Sequence, residues 1–329
     1  MEFKSYHQDY NIKNFSFLIT GGAGFIGSNL VEYLVQFGAK KIRIIDNLST
    51  GNIENIKDYL NLPNVEFIRA DITSFSACLK ATNNMDFVSH QAALGSVPRS
   101  IADPLKTNKV NVTGFLNILN ASYQNKVKRL VYAASSSTYG DSKILPKQED
   151  FIGNPLSPYA VTKYVNELYA QVFSKVYNYN TIGLRYFNVF GPKQNLNGPY
   201  AAVIPLFISE MLKKKRPFIN GDGKTSRDFT FVSNVVQANI KSIFLKDIKK
   251  DHILNIACGG KTSLNDLVKN INECLNLNIK ANFRDFRLGD VKHSMANISR
   301  AKGLINYNPE ISFEEGIKLT IPFFNKTNH

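Results

Sequence analysis

The chain has 329 residues, with a hydrophobic fraction of 43% and a charged fraction of 20%, which are ordinary values for a folded globular protein. This length suits one large α/β domain that carries a smaller lobe. The formal net charge is +14, but lysine and arginine are scattered along the sequence. Because the sequence lacks a basic stripe with interleaved aromatic residues, the charge does not indicate nucleic-acid binding.

The three cysteines, Cys78, Cys258 and Cys274, have neither the spacing of a disulfide framework nor that of a metal site. We therefore expect no metal ion and a reducing, cytoplasmic location. The first ten residues have no apolar core, and no apolar run in the sequence is long enough to span a bilayer. We expect no signal peptide and no membrane association.

Short β-rich runs alternate with helical patterns in the first part of the chain, which is typical of a doubly wound parallel sheet. The pattern loosens near residue 190, so we predict a first domain at 1–190 and a smaller mixed α/β domain at 191–329. Residues 1–14 read as an N-terminal extension, and residues 228–245 fit either domain. Strands are predicted at 15–20, 41–45, 65–68, 87–90, 129–133 and 181–185, and the first helix at 25–37.

A glycine-rich turn follows the first predicted strand and opens the first helix. Gly21 allows a tight turn, Gly24 lets the backbone approach a pyrophosphate, and Gly27 permits close packing of helix on sheet. Asp46 stands at the end of the second strand, about twenty residues after Gly27, where a carboxylate binds a ribose and repels a 2′-phosphate. The spacing predicts a Rossmann-type dinucleotide site that takes NAD rather than NADP.

A second pattern places a tyrosine and a lysine on one helix. Ser157 fits the N-cap and Pro158 the first helical position, so Tyr159 and Lys163 lie one turn apart on the same face. We expect the lysine ammonium and the positive nicotinamide to lower the pKa of Tyr159. The phenolate would then remove a proton from an alcohol as its carbon loses a hydride.

Three serines, Ser135, Ser136 and Ser137, follow the strand predicted at 129–133. Hydroxyl groups at the carboxyl end of a parallel strand point into the ligand crevice. There they can hydrogen-bond the reacting oxygen without adding a charge. We therefore expect this cluster to act with Tyr159 and Lys163.

At this point the chain resembles the extended short-chain dehydrogenase/reductase family. The resemblance rests on the glycine turn, the serine cluster, the Tyr159/Lys163 pair and the run at 184–192, and it covers nearly all of the chain after residue 14. The segments at 91–100, 200–205 and 220–229 are similar to UDP-N-acetylglucosamine 4-epimerases of bacterial polysaccharide pathways. The resemblance implies NAD-dependent 4-epimerisation of UDP-N-acetylhexosamine through a 4-keto intermediate, and a homodimer that pairs helices near residues 108–123 and 159–176.

The resemblance also implies individual roles. The expected cofactor contacts are Gly21, Gly24, Phe25, Ile26, Gly27, Asp46, Asn47, Asp71, Ile72, Gln91, Ala92, Ala93, Tyr159, Lys163 and Phe187. The expected UDP-sugar contacts are Gly95, Ser96, Asn188, Gln194, Ala202, Val203, Arg227, Arg287, Asp290 and Ser294. The two arginines suit a diphosphate because their donors are forked. Narrow-pocket galactose epimerases carry tyrosine at the position of Ser294, so a serine leaves room for an N-acetyl group.

Alternative readings share parts of this chemistry. A uronic acid (UDP-GlcNAcA) or UDP-glucose as the 4-epimerase substrate stays open. Nucleotide-sugar 4,6-dehydratases carry Asp-Glu where this chain has Ser136 and Ser137, so the residues for elimination are missing. A non-catalytic NAD-binding sensor is disfavoured because Tyr159 and Lys163 are both present.

Overall fold

The computed structural model describes residues 1–7, 9–195, 202–246, 248–285 and 293–327. Its strands are β1 (Ser16–Thr20), β2 (Lys41–Asp46), β3 (Val65–Arg69), β4 (Phe87–His90), β5 (Arg129–Ser135), β6 (Thr181–Tyr186), β7 (Val189–Phe190), β8 (Phe218–Asn220), β9 (Ser226–Arg227), β10 (Thr230–Phe231), β11 (His252–Ile256), β12 (Thr262–Ser263) and β13 (Asn282–Arg284). Its α-helices are α1 (Phe25–Gln36), α2 (Phe75–Thr82), α3 (Val97–Ala102), α4 (Pro104–Asn108), α5 (Gly114–Gln124), α6 (Pro158–Tyr177), α7 (Val203–Leu212), α8 (Val232–Ile243), α9 (Leu264–Leu275), α10 (Ser299–Ile305) and α11 (Phe313–Thr327).

The large sheet has seven parallel strands in the order β3-β2-β1-β4-β5-β6-β11. The strand order reverses between β1 and β4, and a sheet of this kind opens its ligand crevice at the carboxyl ends of the strands that flank the reversal. The predicted α/β Rossmann-type fold is therefore confirmed. All six predicted strands are present, and β5 runs two residues beyond the predicted end, so that its last residue is Ser135.

Helices cover both faces of the large sheet, because the apolar side chains of its strands point alternately to one face and the other. Phe17 and Ile19 of β1 face α1 and α8 in one buried cluster, whereas Leu18 faces α2 and α5 in the other. Successive side chains of a strand point to opposite faces, so apolar residues at every position require helices on both sides. This double layer holds the carboxyl ends of the strands in place.

A third buried cluster lies in the smaller lobe, where α7, α9 and α11 pack together. Between elements of this lobe the chain returns to the large sheet: α8 packs on β4, β5 and β6, and β11 pairs with β6. Strand β11 was not predicted from the sequence. The two-domain division with a boundary at residue 190 stays a prediction; it let residues 228–245 fit either domain, but it did not place β11 in the first one.

Candidate active site

The turn between β1 and α1 has the backbone geometry that its glycines require. Gly21 has φ +65°, and a Cβ atom there would lie 2.7 Å from the backbone nitrogen of Ala92. Gly24 is the N-cap of α1, and a Cβ atom on Gly27 would lie 2.2 Å from the carbonyl oxygen of Gly21. The turn can therefore keep this shape only with glycine at 21 and 27, and it leaves the N-terminus of α1 open to an anion.

The carboxylate of Asp46 is fixed at the end of β2. One oxygen accepts a hydrogen bond from the N–H of Ala23 at 3.0 Å and the other from the N–H of Leu48 at 2.8 Å. Burial raises the pKa of Asp46, while the N–H groups of Leu48 and Ala23 act in the opposite direction. The carboxylate lies at the wall of a large cavity, at the position that a Rossmann fold uses for a ribose.

Asn47 and Asp71 form the next part of this wall. The side-chain nitrogen of Asn47 donates to a carboxylate oxygen of Asp71 at 2.7 Å, and the N–H of Thr73 donates to the other oxygen at 2.8 Å. Ile72 is buried beside them, with 5% of its surface exposed. This pairing joins the ends of β2 and β3 on the side of the cavity that lies beyond Asp46.

The large cavity has a volume of about 820 Å³. It is wide enough for an extended dinucleotide, since ligand pockets commonly span ~300–1,000 Å³. The glycine turn, the helix N-terminus and the carboxylate at the end of β2 together fit that group. Its lining includes these residues from the sequence analysis: Gly21, Gly24, Phe25, Ile26, Gly27, Asp46, Asn47, Asp71, Ile72, Gln91, Ala92, Ala93, Gly95, Gln194 and Ala202.

A second cavity of about 240 Å³ adjoins the first. Ile26, Gln91, Ala93 and Gly95 line both, so the two cavities meet. The smaller cavity is also lined by Ser135, Tyr159, Lys163, Tyr186 and Asn188. A sugar in the smaller cavity would therefore lie next to the end of a dinucleotide in the larger one.

The helix start predicted at Ser157 and Pro158 is confirmed. The Ser157 hydroxyl accepts from the N–H of Ala160 at 3.2 Å, and α6 begins at Pro158. Tyr159 and Lys163 consequently face the carboxyl end of β5 from one side of the helix. The structure thus brings together the two residues that the sequence paired.

Tyr159, Ser135 and Lys163 are held by short contacts. Tyr159 and Ser135 line the smaller cavity together, and a hydrogen bond from Ser135 would lower the pKa of the phenol. The oxygen of Ser135 lies 2.8 Å from that of Ser137, and the Nζ atom of Lys163 donates to the carbonyl oxygen of Ala133 at 2.7 Å. The hydroxyl of Ser135, the phenol of Tyr159 and the ammonium of Lys163 therefore all lie at the carboxyl end of β5.

The electrostatics of this group differ from the expectation. Burial raises the pKa of Tyr159, and the hydrogen bond from Ser135 opposes that change only in part. Burial also lowers the pKa of Lys163 to about 8, although the nearby Glu167 carboxylate acts in the other direction. Without the cofactor the phenol pKa is therefore raised, because removal from water outweighs the hydrogen bond from Ser135, and the lowering expected from a positive nicotinamide stays a prediction.

The side chain of Phe187, which the resemblance places near the nicotinamide, lines neither cavity. It is fully buried and packs on the ring of Tyr139 with the centroids 6.0 Å apart, and its contact with the cofactor stays a prediction. Its neighbour Tyr186 lines the smaller cavity instead. Successive residues at the end of a strand point to opposite sides, so a shift of one position exchanges the cavity side for the core.

Three further predicted residues lie beside the cavities without lining either of them. Ser96 is the N-cap of α3, and its side chain accepts from the N–H of Arg99 at 3.2 Å. Ser136 opens a short 3₁₀ turn, and Val203 is the first residue of α7. In each case the direct neighbour in the sequence, Gly95, Ser135 or Ala202, lines a cavity.

The structure describes only some of the residues that are expected to bind the UDP portion. The Asn188 side chain donates to the carbonyl oxygen of Asp228 at 3.1 Å and lines the smaller cavity. Arg227 donates to the carbonyl oxygen of Ser226 at 3.0 Å, and the N–H of Ser294 donates to the same residue at 3.1 Å. Two predicted contacts lie outside the described residues: Arg287 and Asp290.

A polar network under the smaller cavity was missed. The Tyr186 hydroxyl donates to the side-chain oxygen of Gln91 at 3.2 Å and accepts from the side-chain nitrogen of Asn239 at 2.8 Å. Gln91 in turn donates to the Asn239 oxygen at 3.1 Å. The sequence offered no clear signal for Asn239, because five of the other eleven residues of α8 are also polar.

An ion pair beside the glycine turn was also missed. The Nζ atom of Lys193 lies 2.5 Å from a carboxylate oxygen of Glu32 on α1, and each side chain is 13% exposed. The Nζ atom also donates to the carbonyl oxygen of Ser28 at 3.4 Å, and the Asn29 side chain donates to that of Pro192 at 3.3 Å. Lys193 lines the large cavity, so this contact fastens the segment after β7 to the helix that opens the dinucleotide site.

The sheet order, the glycine turn and the Tyr159/Lys163 pair at the junction of two cavities define a dinucleotide-dependent enzyme of the short-chain dehydrogenase/reductase type. The sequence profile of the NAD dependent epimerase/dehydratase family matches residues 17–257. The chain belongs to this family, as an extended short-chain dehydrogenase/reductase and an enzyme of the UDP-sugar epimerase group. Its cofactor is NAD.

Known proteins that resemble the chain span nearly its whole length. A UDP-N-acetylglucosamine 4-epimerase of Methanobrevibacter ruminantium M1, solved with UDP-N-acetylmuramic acid, is 39% identical with a TM-score of 0.90, over 95% of this chain and 99% of that one. A putative UDP-glucose 4-epimerase of Methanocaldococcus jannaschii is 37% identical over 94% of this chain and 99% of its own. A UDP-glucuronate 4-epimerase of Thermodesulfobacterium geofontis is 35% identical over 93% and 94%.

Two features are not found among the described residues: a membrane-spanning helix and a cluster of metal-ligand side chains. None of the helices in the described ranges has the length and apolar composition that crossing a bilayer requires. Within the same part of the chain, His, Cys, Asp and Glu side chains do not gather in groups of three that could hold a metal ion.

Proposed function

We propose that the protein interconverts UDP-N-acetylglucosamine and UDP-N-acetylgalactosamine by inverting C4. The observation that carries the proposal is the junction of the cavities: Tyr159 and Ser135 line the smaller one, and Gln91, Ala93 and Gly95 line both. A C4 hydroxyl in the smaller cavity would contact the phenol and the serine while its carbon faces the dinucleotide.

In the proposed cycle the chain's own side chains hold the sugar and move one proton. Tyr159 removes the proton from the C4 hydroxyl, and Ser135 hydrogen-bonds the same oxygen in the alcohol and in the 4-ketosugar. Lys163, held on the carbonyl of Ala133, supplies the positive charge that favours the phenolate. Bound NAD supplies the acceptor and donor of the C4 hydride. After the sugar has turned over, C4 presents its opposite face to the returning hydride, and Tyr159 gives the proton back to the C4 oxygen.

Inversion requires the UDP portion to be held firmly while the hexose turns. Small residues, Ala93, Gly95 and Ala202, line the cavities near the proposed sugar position. Arg227 and the predicted contacts Arg287 and Asp290 would hold the UDP portion, because forked donors match a diphosphate. A sugar with few strong side-chain contacts can rotate about its link to the diphosphate.

The preference for an N-acetylated sugar has two supports. The 39% identical structure is described as a UDP-N-acetylglucosamine 4-epimerase and holds UDP-N-acetylmuramic acid, which is also N-acetylated. Ser294 is a small residue hydrogen-bonded to the strand that carries Arg227. A second candidate substrate is a uronic acid, because a relative at 35% identity is a UDP-glucuronate 4-epimerase.

The test is a comparison of UDP-GlcNAc, UDP-Glc and UDP-GlcNAcA with one preparation of the NAD-loaded enzyme, followed by proton NMR. We expect UDP-GalNAc to form from UDP-GlcNAc with the highest kcat/KM of the three reactions. Faster conversion of UDP-GlcNAcA would replace the N-acetylhexosamine with the uronic acid as substrate. No conversion of any of the three would contradict the epimerase proposal.

We also propose a homodimer through α6. Val161, Leu168, Val172 and Val176 lie on one stripe of this helix and are 40–65% exposed, an apolar surface that is costly to leave in water. Light scattering should give twice the chain mass for the wild type and the mass of one chain for Val172→Asp. A wild-type protein with the mass of one chain would contradict the dimer.

A further inference from the structure

The chain buries an ion pair directly behind the catalytic helix face, and the epimerisation cycle above does not use it. Glu167 and Arg185 are 2% and 3% exposed, and the guanidinium binds both carboxylate oxygens at 2.8 and 2.7 Å. Replacing such a pair by apolar side chains is often neutral or stabilising, so a buried pair is weak evidence for a stabilising role. The position of the Glu167–Arg185 pair, next to Lys163, indicates another reason for its presence.

Glu167 continues the series formed by Tyr159 and Lys163. The three residues are four positions apart on α6, so they lie on one face of the helix in consecutive turns. Lys163 is therefore placed between the phenol on one side and the carboxylate on the other. Arg185, from β6, holds that carboxylate in a single orientation through its paired hydrogen bonds.

The Lys163 ammonium has few other sources of stabilisation. It is 2% exposed, and it donates a hydrogen bond to the neutral carbonyl of Ala133. Burial lowers the pKa of Lys163 to about 8, and Glu167 is the charged group that opposes this effect. The titratable and charged groups around Lys163 and behind Glu167 are Tyr159 on α6, His90 on β4, Tyr132 on β5, Arg185 on β6, and Tyr139, Glu149 and Asp251 in the adjoining segments.

We propose that Glu167, clamped by Arg185, is a positioning residue that keeps Lys163 charged and in place beside the phenol of Tyr159. Glu167 contacts neither the sugar nor the dinucleotide cavity and acts through the lysine. The inference rests on the proposed epimerase function, since it requires a reaction in which the charged lysine supports the tyrosine. If Glu167 served only to bind Arg185, replacing it would not change the charge of Lys163.

The test is the pH profile of kcat for wild type and Glu167→Gln, measured from pH 6 to 10 with UDP-GlcNAc and NAD-loaded enzyme. Glutamine keeps the shape of the side chain and one acceptor for Arg185 but removes the negative charge. We expect the alkaline limb of the profile to move about one unit toward lower pH, so that kcat falls about twofold at pH 7 and about tenfold on the limb above pH 9, with KM unchanged.

Glu149→Gln is the matched control. Glu149 is another buried carboxylate of this region, and it accepts from the N–H of Asn255 at 2.9 Å, while Arg185 binds only its backbone carbonyl. The control should leave the alkaline limb in place. If Glu167→Gln does not fold, Glu167→Asp retains the charge but withdraws it by one methylene group, and it should move the limb in the same direction by less.

The outcomes separate the two proposals. An alkaline limb that stays at the wild-type position in Glu167→Gln, or in Glu167→Asp if that variant is used, would overturn the role of Glu167. The same shift in Glu149→Gln would also overturn it, since any loss of buried charge would then suffice. A wild-type enzyme that converts none of the UDP-sugars would instead contradict the proposed function.

Discussion

A Cβ atom on Gly27 would lie 2.2 Å from the carbonyl oxygen of Gly21, so the first turn of α1 sits directly on the turn that ends β1. Neither atom can move away easily, because the oxygen belongs to the backbone and the backbone fixes the position of the Cβ atom. We predict that Gly27→Ala folds with a displaced helix start and purifies with little bound NAD. The measurement is the NAD released by acid per mole of protein.

Gly303→Ala is the control for this prediction. Gly303 lies within α10, and a Cβ atom there meets no atom within 4 Å. The substitution should leave the NAD content unchanged and raise the free energy of unfolding by about 0.5–1 kcal/mol, since alanine favours a helix. Full NAD content in Gly27→Ala would show that the close contact of the two glycines is dispensable.

Tyr159 and Ser135 line the smaller cavity together at the end of β5, which is where the proposed base acts. Tyr159→Phe removes the acid/base group without changing the shape of the ring, so we predict a fall in kcat of about 10²–10⁴-fold with the NAD content retained. Tyr164→Phe, on the same helix but outside both cavities, should keep wild-type turnover. Undiminished turnover of Tyr159→Phe would mean that another group takes the proton.

Lys163 links activity, stability and pH. Its pKa in the folded protein is about 8, below its ordinary value of 10.5, so between these values the unfolded chain binds more protons than the folded one. The free energy of unfolding due to this group therefore rises with pH from about 8 to 10.5, and below 8 the buried charge destabilises the fold.

We predict accordingly that Lys163→Met is inactive but more stable than wild type at pH 7, by an amount on the order of 1–3 kcal/mol. The advantage should shrink as the pH rises toward 10.5. Urea unfolding at pH 7 and pH 10 measures both effects. A variant less stable than wild type at pH 7 would mean that the hydrogen bond to Ala133 outweighs the cost of the buried charge.

The pair between Glu32 and Lys193 fastens the segment after β7 to α1. We predict that Lys193→Met loses bound NAD at least about tenfold faster than wild type, because this partly buried pair borders the cavity that holds the cofactor. The measurement is NAD retention during dialysis against charcoal. Lys57 is the matched control, since it also lines the cavity but pairs with Glu54 in an exposed position. Lys57→Met should release NAD at the wild-type rate, as exposed pairs contribute little.

The sequence predicted those elements whose residues are close neighbours along the chain. The strands before residue 186, the turn at Gly21 and the cap at Ser157 depend on residues within a few positions of one another, and each was confirmed. Strand β11 was not predicted. The chain passes through the smaller lobe before β11 pairs with β6, and this passage interrupts the alternation of strands and helices.

The missed parts of the site are contacts between distant positions. Glu32 and Lys193 are 161 residues apart, and Asn239 and Gln91 are 148 apart, so a pattern read along one sequence does not join them. The burial of the Phe187 side chain was missed for a different reason: the chain turns it into the core after β6, whereas Tyr186 lines the smaller cavity. The pKa of Tyr159 depends on burial, which the spacing of Tyr159 and Lys163 does not specify.

The central claim is that Tyr159 and the bound cofactor oxidise and then reduce the same carbon of a UDP-sugar. The most direct measurement is the fate of deuterium at C4 of UDP-[4-²H]GlcNAc in ordinary water, with NAD-loaded enzyme and no added NADH. We predict UDP-GalNAc that keeps its deuterium at C4, because the hydride returns to the sugar from which it came. Product that has lost the deuterium to solvent, or no product from an NAD-loaded enzyme, would contradict the account.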